Sequence, residues 1–260
     1  MNLRSLKKNY ALIAITALVI LFASAITVTG MGYKYIKIDS GLRFFGKVEN
    51  GYPTVGNLYY NDGRVGKIDT SKGEIVYKDG SVYNGGLYGI QRHGSGILKY
   101  ADGSVYTGEF SFDEMTGKGV YEGADGELYK GELLCGKRHG EGSLTFPDGS
   151  MYIGSFSHDS RHGRGTMKYA DGSVYEGDYL NDMKNGSGTF IYKNRDVYTG
   201  SFVNDERHGQ GTYTWSQGVR YTGAFEHDEM CGEGRLRFPN GVEHEGNFGG
   251  EETNGFMLQK

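Results

Sequence analysis

The sequence predicts an all-β protein: an elongated single-layer antiparallel sheet of stacked 23-residue β-hairpins, preceded by one N-terminal transmembrane or signal helix. Three observations predict it. Tyrosine and glycine recur in phase every 23 residues, polar and apolar positions alternate with a period of two inside each unit, and residues 10 to 28 carry no charge. Repeats of about 20 to 50 residues imply stacked supersecondary units, none able to bury its apolar face alone.

Composition limits the alternatives. The 260 residues hold 45 Gly, 3 Pro, 2 Cys, 21 Tyr, 13 Phe and 1 Trp, so glycine is about 17% of the chain against a usual ~7%. Collagen is excluded because glycine has no three-residue period, and 13% aromatic residues are too many for a solvated tail. Two cysteines exclude a disulfide-stapled mini-protein. Residues 1 to 82 hold 11 Lys and Arg against 6 acidic groups, whereas residues 83 to 249 hold 16 against 24 and are net −8. That field opposes nucleic acid, which is bound through clustered positive charge.

The N-terminal element comes first in the chain. Arg4, Lys7 and Lys8 precede 19 uncharged residues from Tyr10 to Val28, within the roughly 17 to 25 that a spanning helix needs. Two readings stand: an uncleaved anchor, or a secretory signal whose Ala23-Ser24-Ala25 supplies a small-x-small cleavage pattern. The first gives a single-pass protein with a cytoplasmic N-terminus and an exported body. The second gives a secreted one, cleaved near Ala25. Residues 1–30 thus form the basic segment and helix, and 31–82 a juxtamembrane segment of degenerate capping hairpins, "FFGKVENGYPTVGNLYYNDG" from Phe44 and "YNDGRVGKIDTSKGEIVYKDGSV" from Tyr60.

The array occupies residues 83–248, and 249–260 are a tail. Seven units begin at Tyr83, Tyr106, Tyr129, Tyr152, Tyr175, Tyr198 and Tyr221, and a truncated eighth begins at His244. Counting from each first tyrosine, glycine stands at position 3 (Gly85 to Gly246) and at positions 12 and 14 (Gly94 and Gly96 to Gly232 and Gly234). "YTGEF" from Tyr106 and "GRGTMKY" from Gly163 alternate as strands do, a polar segment such as "SHDSRH" joins the two, and "ADG" or "PDG" supplies the turn to the next unit. A glycine beside large rings lets a neighbouring Tyr or Phe lie flat across the backbone. Each hairpin advances the sheet by roughly 9.6 Å, two strand spacings. Isolated hairpins are marginal, so the array must fold as a stack.

The recurring "YxGxF(x)5HGxGxxxYxDG", as in "YIGSFSHDSRHGRGTMKYADG" from Tyr152, resembles the MORN repeat (membrane occupation and recognition nexus). The resemblance covers roughly residues 83 to 248. It departs at position 5, where the family's usual Trp is replaced by Leu87, Phe110, Leu133, Phe156, Tyr179, Phe202 and Phe225. It departs again in the fifth unit, where Asn185 stands for His and Arg195 for the turn glycine. The resemblance implies a sheet used for tethering, scaffolding, self-association or membrane proximity.

No catalytic constellation is present: the repeated GxG steps lie inside strands, and no G-x-S-x-G elbow or H-E-x-x-H pair occurs. His93, His139, His162 and His208 recur too far apart to share a zinc ion and are expected to order the hairpin loops. The Asp-Gly turns lack the clustered acidic ligands of a calcium site. Cys135 and Cys231 fall four repeats apart, roughly 38 Å, too far to bridge within one ribbon. No cofactor and no enzymatic activity is expected. The function expected is a membrane-attached scaffold or tether for an unknown protein partner or for self-association. Its candidate face is the aromatic stripe of Tyr106, Phe110, Tyr152, Phe156, Tyr198, Phe202, Trp215, Tyr221 and Phe225, expected to stay partly uncovered. Two alternatives remain. A lipid-binding module would use Arg92, Arg138, Arg161, Lys184 and Arg207 as a stripe for phosphoinositide-type head groups, and an exported cell-wall or carbohydrate-binding protein would use the Tyr-rich hairpins near Gly56.

Overall fold

The computed structural model describes residues 31–249 apart from Asp39 and residues 62–64. Every regular element among them is a strand, and all twenty belong to one antiparallel sheet. The expected N-terminal helix over residues 10–28 lies outside the described residues. Among those described, no helix is long and apolar enough to cross a membrane. The chain divides into two compact units. Residues 31–103 with Phe110–Asp113 form one, and Ser104–Glu109 with residues 114–249 the other.

The first unit contains β1 (Tyr33–Lys37), β2 (Leu42–Glu49), β3 (Tyr52–Tyr60), β4 (Val65–Asp69), β5 (Glu74–Val76), β6 (Val82–Tyr88) and β7 (Gln91–Lys99), each antiparallel to its predecessor. Phe44 stands in the place of the repeat tyrosine here, fully buried over Gly46 and Gly56. The β4–β5 hairpin is short. From Val65 to Tyr77 it runs 13 residues, where the first repeat runs 19 from Val82 to Tyr100. Its tyrosine and position 3 glycine have both gone, replaced by Gly66 and by Ile68, which is 2% exposed.

After β8 (Val105–Ser111) and β9 (Glu114–Glu122), the second unit alternates strands of seven and nine residues: β10 (Leu128–Leu134), β11 (Lys137–Thr145), β12 (Met151–Ser157), β13 (Ser160–Lys168), β14 (Val174–Leu180), β15 (Met183–Ile191), β16 (Val197–Val203), β17 (Glu206–Thr214), β18 (Arg220–Glu226), β19 (Glu229–Arg237) and the six-residue β20 (Glu243–Phe248). The expected polar loop inside each hairpin is in fact a two-residue turn. His158-Asp159 (φ 51° and 76°), Asn181-Asp182 and Asn204-Asp205 all have both central residues at positive φ, the geometry that matches strand twist. The residues counted as loop, including the Arg-His-Gly steps, continue the second strand, where Gly163 (φ 76°) and its equivalents open a β-bulge. The turns between repeats take three residues. Around Pro147-Asp148-Gly149, the Gly149 N–H donates to Phe146 O (3.0 Å) and the Phe146 N–H to Ser150 O (2.8 Å), a type I turn closed by a glycine bulge.

One device holds this unit together. Glycines at positions 3 and 14 pair directly across strands, from Gly119 opposite Gly131 through Gly165 opposite Gly177 to Gly234 opposite Gly246. Each tyrosine of position 1 lies across a glycine pair: a Cβ placed on Gly211 would fall 2.6 Å from Cε2 and Oη of Tyr198. The phenol then reaches over the bulge and donates to the position 4 carbonyl, Tyr129 to Glu132 O at 2.7 Å and Tyr198 to Ser201 O at 2.8 Å. Burial pushes the phenols of Tyr129, Tyr152, Tyr198 and Tyr221 up to about 12. Edge-to-face contacts link five of these tyrosines to the position 5 ring of the next repeat: Tyr129–Phe156 (5.4 Å), Tyr152–Tyr179 (5.2 Å), Tyr175–Phe202 (5.1 Å), Tyr198–Phe225 (4.9 Å) and Tyr221–Phe248 (4.8 Å). Each such pair adds about 1 kcal/mol beyond area burial.

Candidate interaction site

Most of the residues expected to form the aromatic interaction stripe are core. Tyr106, Tyr152, Tyr198 and Tyr221 are 0% exposed, and Phe110, Phe156, Phe202 and Phe225 are at most 3% exposed. Only Trp215 is half-buried, edge-on to Tyr213 at 4.8 Å. The expectation of a partly uncovered stripe is corrected: the next hairpin's ring covers Tyr152, Tyr198 and Tyr221, and a cation also lies over Tyr152 and Tyr198.

Those cations are the expected basic stripe, and they are engaged. The Arg161 main-chain N–H and Nε both donate to Asp182 Oδ1 (3.0 and 3.1 Å), its Nη2 donates to Asp182 O (2.6 Å), and the Asp182 N–H returns a bond to Arg161 O (3.0 Å). The acceptor is the second turn residue of the following repeat. Arg92 with Asp113 and Arg207 with Asp228 repeat the arrangement. Arg138 with Asp159 and Lys184 with Asp205 keep the main-chain bonds at looser side-chain distances of 3.6 and 3.8 Å. Each cation also lies over the aromatic ring at position 5 of that next repeat, from Arg92 over Phe110 at 5.0 Å to Lys184 over Phe202 at 5.6 Å. Burial raises the Asp182 carboxyl, but hydrogen bonds from the Arg161 N–H and guanidinium outweigh it and hold the group below its ordinary value. Burial lowers the Lys184 ammonium. The stripe therefore clamps repeat to repeat and is not a free array for anionic head groups.

This clamp was readable in the sequence as Arg or Lys followed 21 residues later by Asp. The interruption at the second repeat supports it, since Met115 in the Arg position meets Gly136 in the Asp position, joined by a main-chain bond of 2.8 Å. The recurring histidines stand in strands, and three of them pack against the next repeat's turn, His93 on Phe112 (5.0 Å), His139 on His158 (5.6 Å) and His208 on His227 (6.4 Å). No group of three metal-ligating side chains occurs among the described residues. Cys135, at an exposed turn, and Cys231 are both free.

What remains accessible lies chiefly in the first unit. Tyr33, Tyr35, Phe45, Tyr52, Tyr59, Tyr88 and Phe112 are all exposed there, Tyr52 and Tyr88 at 63% each. The shortened β4–β5 hairpin leaves a bay in the margin of the sheet, between the start of β3 and the end of β6. The bay is ≈ 660 Å³ and is bordered by Tyr52, Pro53, Thr70, Gly73, Gly86 and Leu87. Behind it a pocket of ≈ 440 Å³ shares Pro53 and Gly89 and is walled by Leu58, Ile75, Tyr77 and Ile90, within the size range of binding pockets. Burial pushes the Tyr77 phenol up to about 12. Counted from Tyr60 this hairpin has the length of a full repeat, and only alignment to its strands, from Val65 to Tyr77, exposes the six missing residues.

Comparison with known proteins bears on the repeats. The MORN repeat signature matches residues 83–105, 106–127, 129–151, 152–174, 175–197, 198–220 and 221–243, well over half of the chain. The chain belongs to the MORN repeat family. No curated protein matches the sequence. Among solved structures, the TCP10 domain of Danio rerio CPAP in complex with a peptide of Danio rerio STIL is 14% identical, with 83% of this chain and 99% of that one covered and a TM-score of 0.40. The TCP10c domain of Drosophila melanogaster Sas-4 is 10% identical, with 58% and 91% covered and a TM-score of 0.36. Likeness this slight carries no argument about this MORN protein's partners.

Proposed function

We propose that this MORN repeat protein is a non-catalytic scaffold that holds a partner polypeptide at its first unit and is attached to a membrane through residues 10–28. The observation that carries the reading is the distribution of accessible aromatic surface. The repeats of the second unit spend their rings and cations on one another, whereas Tyr52, Tyr88 and Phe112 of the first unit stand open to solvent. Exposed apolar surface of this kind marks interaction sites, and the uncharged run from Tyr10 to Val28 is long enough to anchor the chain.

Cross-linking in intact cells, followed by identification of the adduct, tests the scaffold. The pair Tyr52→Ser with Tyr88→Ser should lose the adduct, and Leu134→Ser with Leu180→Ser, exposed residues of the second unit, should keep it. The reverse pattern would move the interface to the repeats. Release of the chain into the soluble fraction at alkaline carbonate would reject the anchor.

A further inference from the structure

We infer that the bay at the shortened β4–β5 hairpin receives an extended, uncharged polypeptide segment, which pairs with the main chain of Leu87 and places an apolar side chain in the pocket behind. This inference rests on the scaffold reading and specifies where and how the partner is held.

The register supplies the pairing edge. β5 contacts β6 only through Glu74 opposite Asn84, Ile75 opposite Tyr83 and Val76 opposite Val82, and the last bond is the Gly85 N–H to Gly73 O at 2.9 Å. Beyond it Tyr88 pairs with Gln91 across the turn of Gly89 and Ile90. The alternation of an antiparallel ladder therefore directs the Leu87 N–H and C=O away from β7 and into the bay. On the opposite shore stands Pro53, which has no N–H and blunts that edge. One shore accepts a strand and the other does not, so a single segment enters in a fixed register.

The walls define the chemistry of the guest. An unpaired strand edge is matched by N–H and C=O groups at strand spacing, which a polypeptide carries and a sugar or acyl chain does not. The charged groups bordering bay and pocket are already matched. Arg92 holds Asp113, and Lys72 lies 3.1 Å from Asp69. A charged guest would have to break one of these pairs or enter unpaired, so an uncharged segment is favoured. Gly73, Gly85, Gly86 and Gly89 border the bay, so few side chains hold a second main chain off.

Full-length protein in detergent micelles, panned against a phage-displayed library of random linear 12-residue peptides, tests this. Peptides uncharged at their centre should be enriched, and their binding should slow hydrogen exchange of the Leu87 amide at least tenfold. A variant with the sequence of Leu87–Arg92 duplicated between Ser71 and Lys72 restores the missing six residues and should bind at least tenfold more weakly. Should that variant not fold, Ile90→Lys, which puts an ammonium at the pocket, should show the same loss, while Leu134→Lys should change binding less than twofold. The inference is overturned if no peptide is enriched over empty micelles, if the enriched peptides bind the Ile90→Lys variant undiminished, or if the Leu87 amide exchanges as fast as before. The cellular cross-link to Tyr52 and Tyr88 would still be judged separately, so the bay can fail while the scaffold stands.

Discussion

The β4–β5 hairpin of the first unit and the hairpins of the second unit are variants of one sequence plan, and they solve burial in different ways. In a regular hairpin such as β16–β17, Tyr198 lies over Gly200 and Gly211 and the strands run seven and nine residues. In the short hairpin the ring and its position 3 glycine are lost together, Gly66 standing for the tyrosine and Ile68 filling the space. The paired change shows that ring and glycine form one unit of design. It also shows what a repeat gives up when that unit goes: hairpin length, and with it a closed margin.

The largest difference should appear at alkaline pH. Free phenols ionise near 10, whereas Tyr129, Tyr152, Tyr198 and Tyr221 are held up to about 12 when folded. Between these values the unfolded chain binds fewer protons than the folded one, so this contribution is complete below pH 10 and is lost as pH rises through 12. Urea midpoints followed by circular dichroism should fall steeply from pH 10 to 12. Amide exchange should accelerate most in β10–β18, and a flat profile would contradict the buried-phenol account.

The clamp gives the next effect. Arg161→Met should cost about 1 kcal/mol, a figure kept small because the Asp182 side chain is about half exposed. Adding Asp182→Gly recreates the Met115–Gly136 pairing and removes a non-glycine residue at φ 70°. Thermal melts of the double variant should regain most of that loss, and strictly additive losses would mean that the two residues do not act as a pair.

Two tyrosines four residues apart should behave differently. Tyr175 donates to Asp178 O at 3.0 Å, while the buried Tyr179 hydroxyl reaches no main-chain carbonyl and has only the Tyr169 phenol beside it. Tyr175→Phe should lose about 1 kcal/mol and Tyr179→Phe nothing, measured by urea denaturation. The smallest change is a gain. Arg195 occupies a turn position at φ 70° where the other repeats place glycine, so Arg195→Gly should stabilise by about 1 kcal/mol.

Much of the fold was legible because the 23-residue period places tyrosine and glycine on the same face, and alternation then dictates strands. The clamp was legible too, in the spacing of Arg161 and Asp182, but only to a reader comparing position 10 with position 8 of the next unit. Exposure was not legible. Whether Phe156 faces water depends on the neighbouring tyrosine and on Arg138 lying across it, and neither composition nor periodicity states that. The bay was hidden for a simpler reason. An absent segment shows only when Val65 to Tyr77 is aligned to the strands instead of to the nearest tyrosine.

The central claim is that a ring and a missing side chain act as one unit, and a double-mutant cycle at Tyr198 and Gly211 tests it most directly. A Cβ on Gly211 would stand 2.6 Å from the Tyr198 ring, so Gly211→Ala should cost about 3 kcal/mol in the natural chain. In the Tyr198→Ala background the same change should cost less than about 1 kcal/mol, the ring being gone. Equal costs in the two backgrounds would contradict the account.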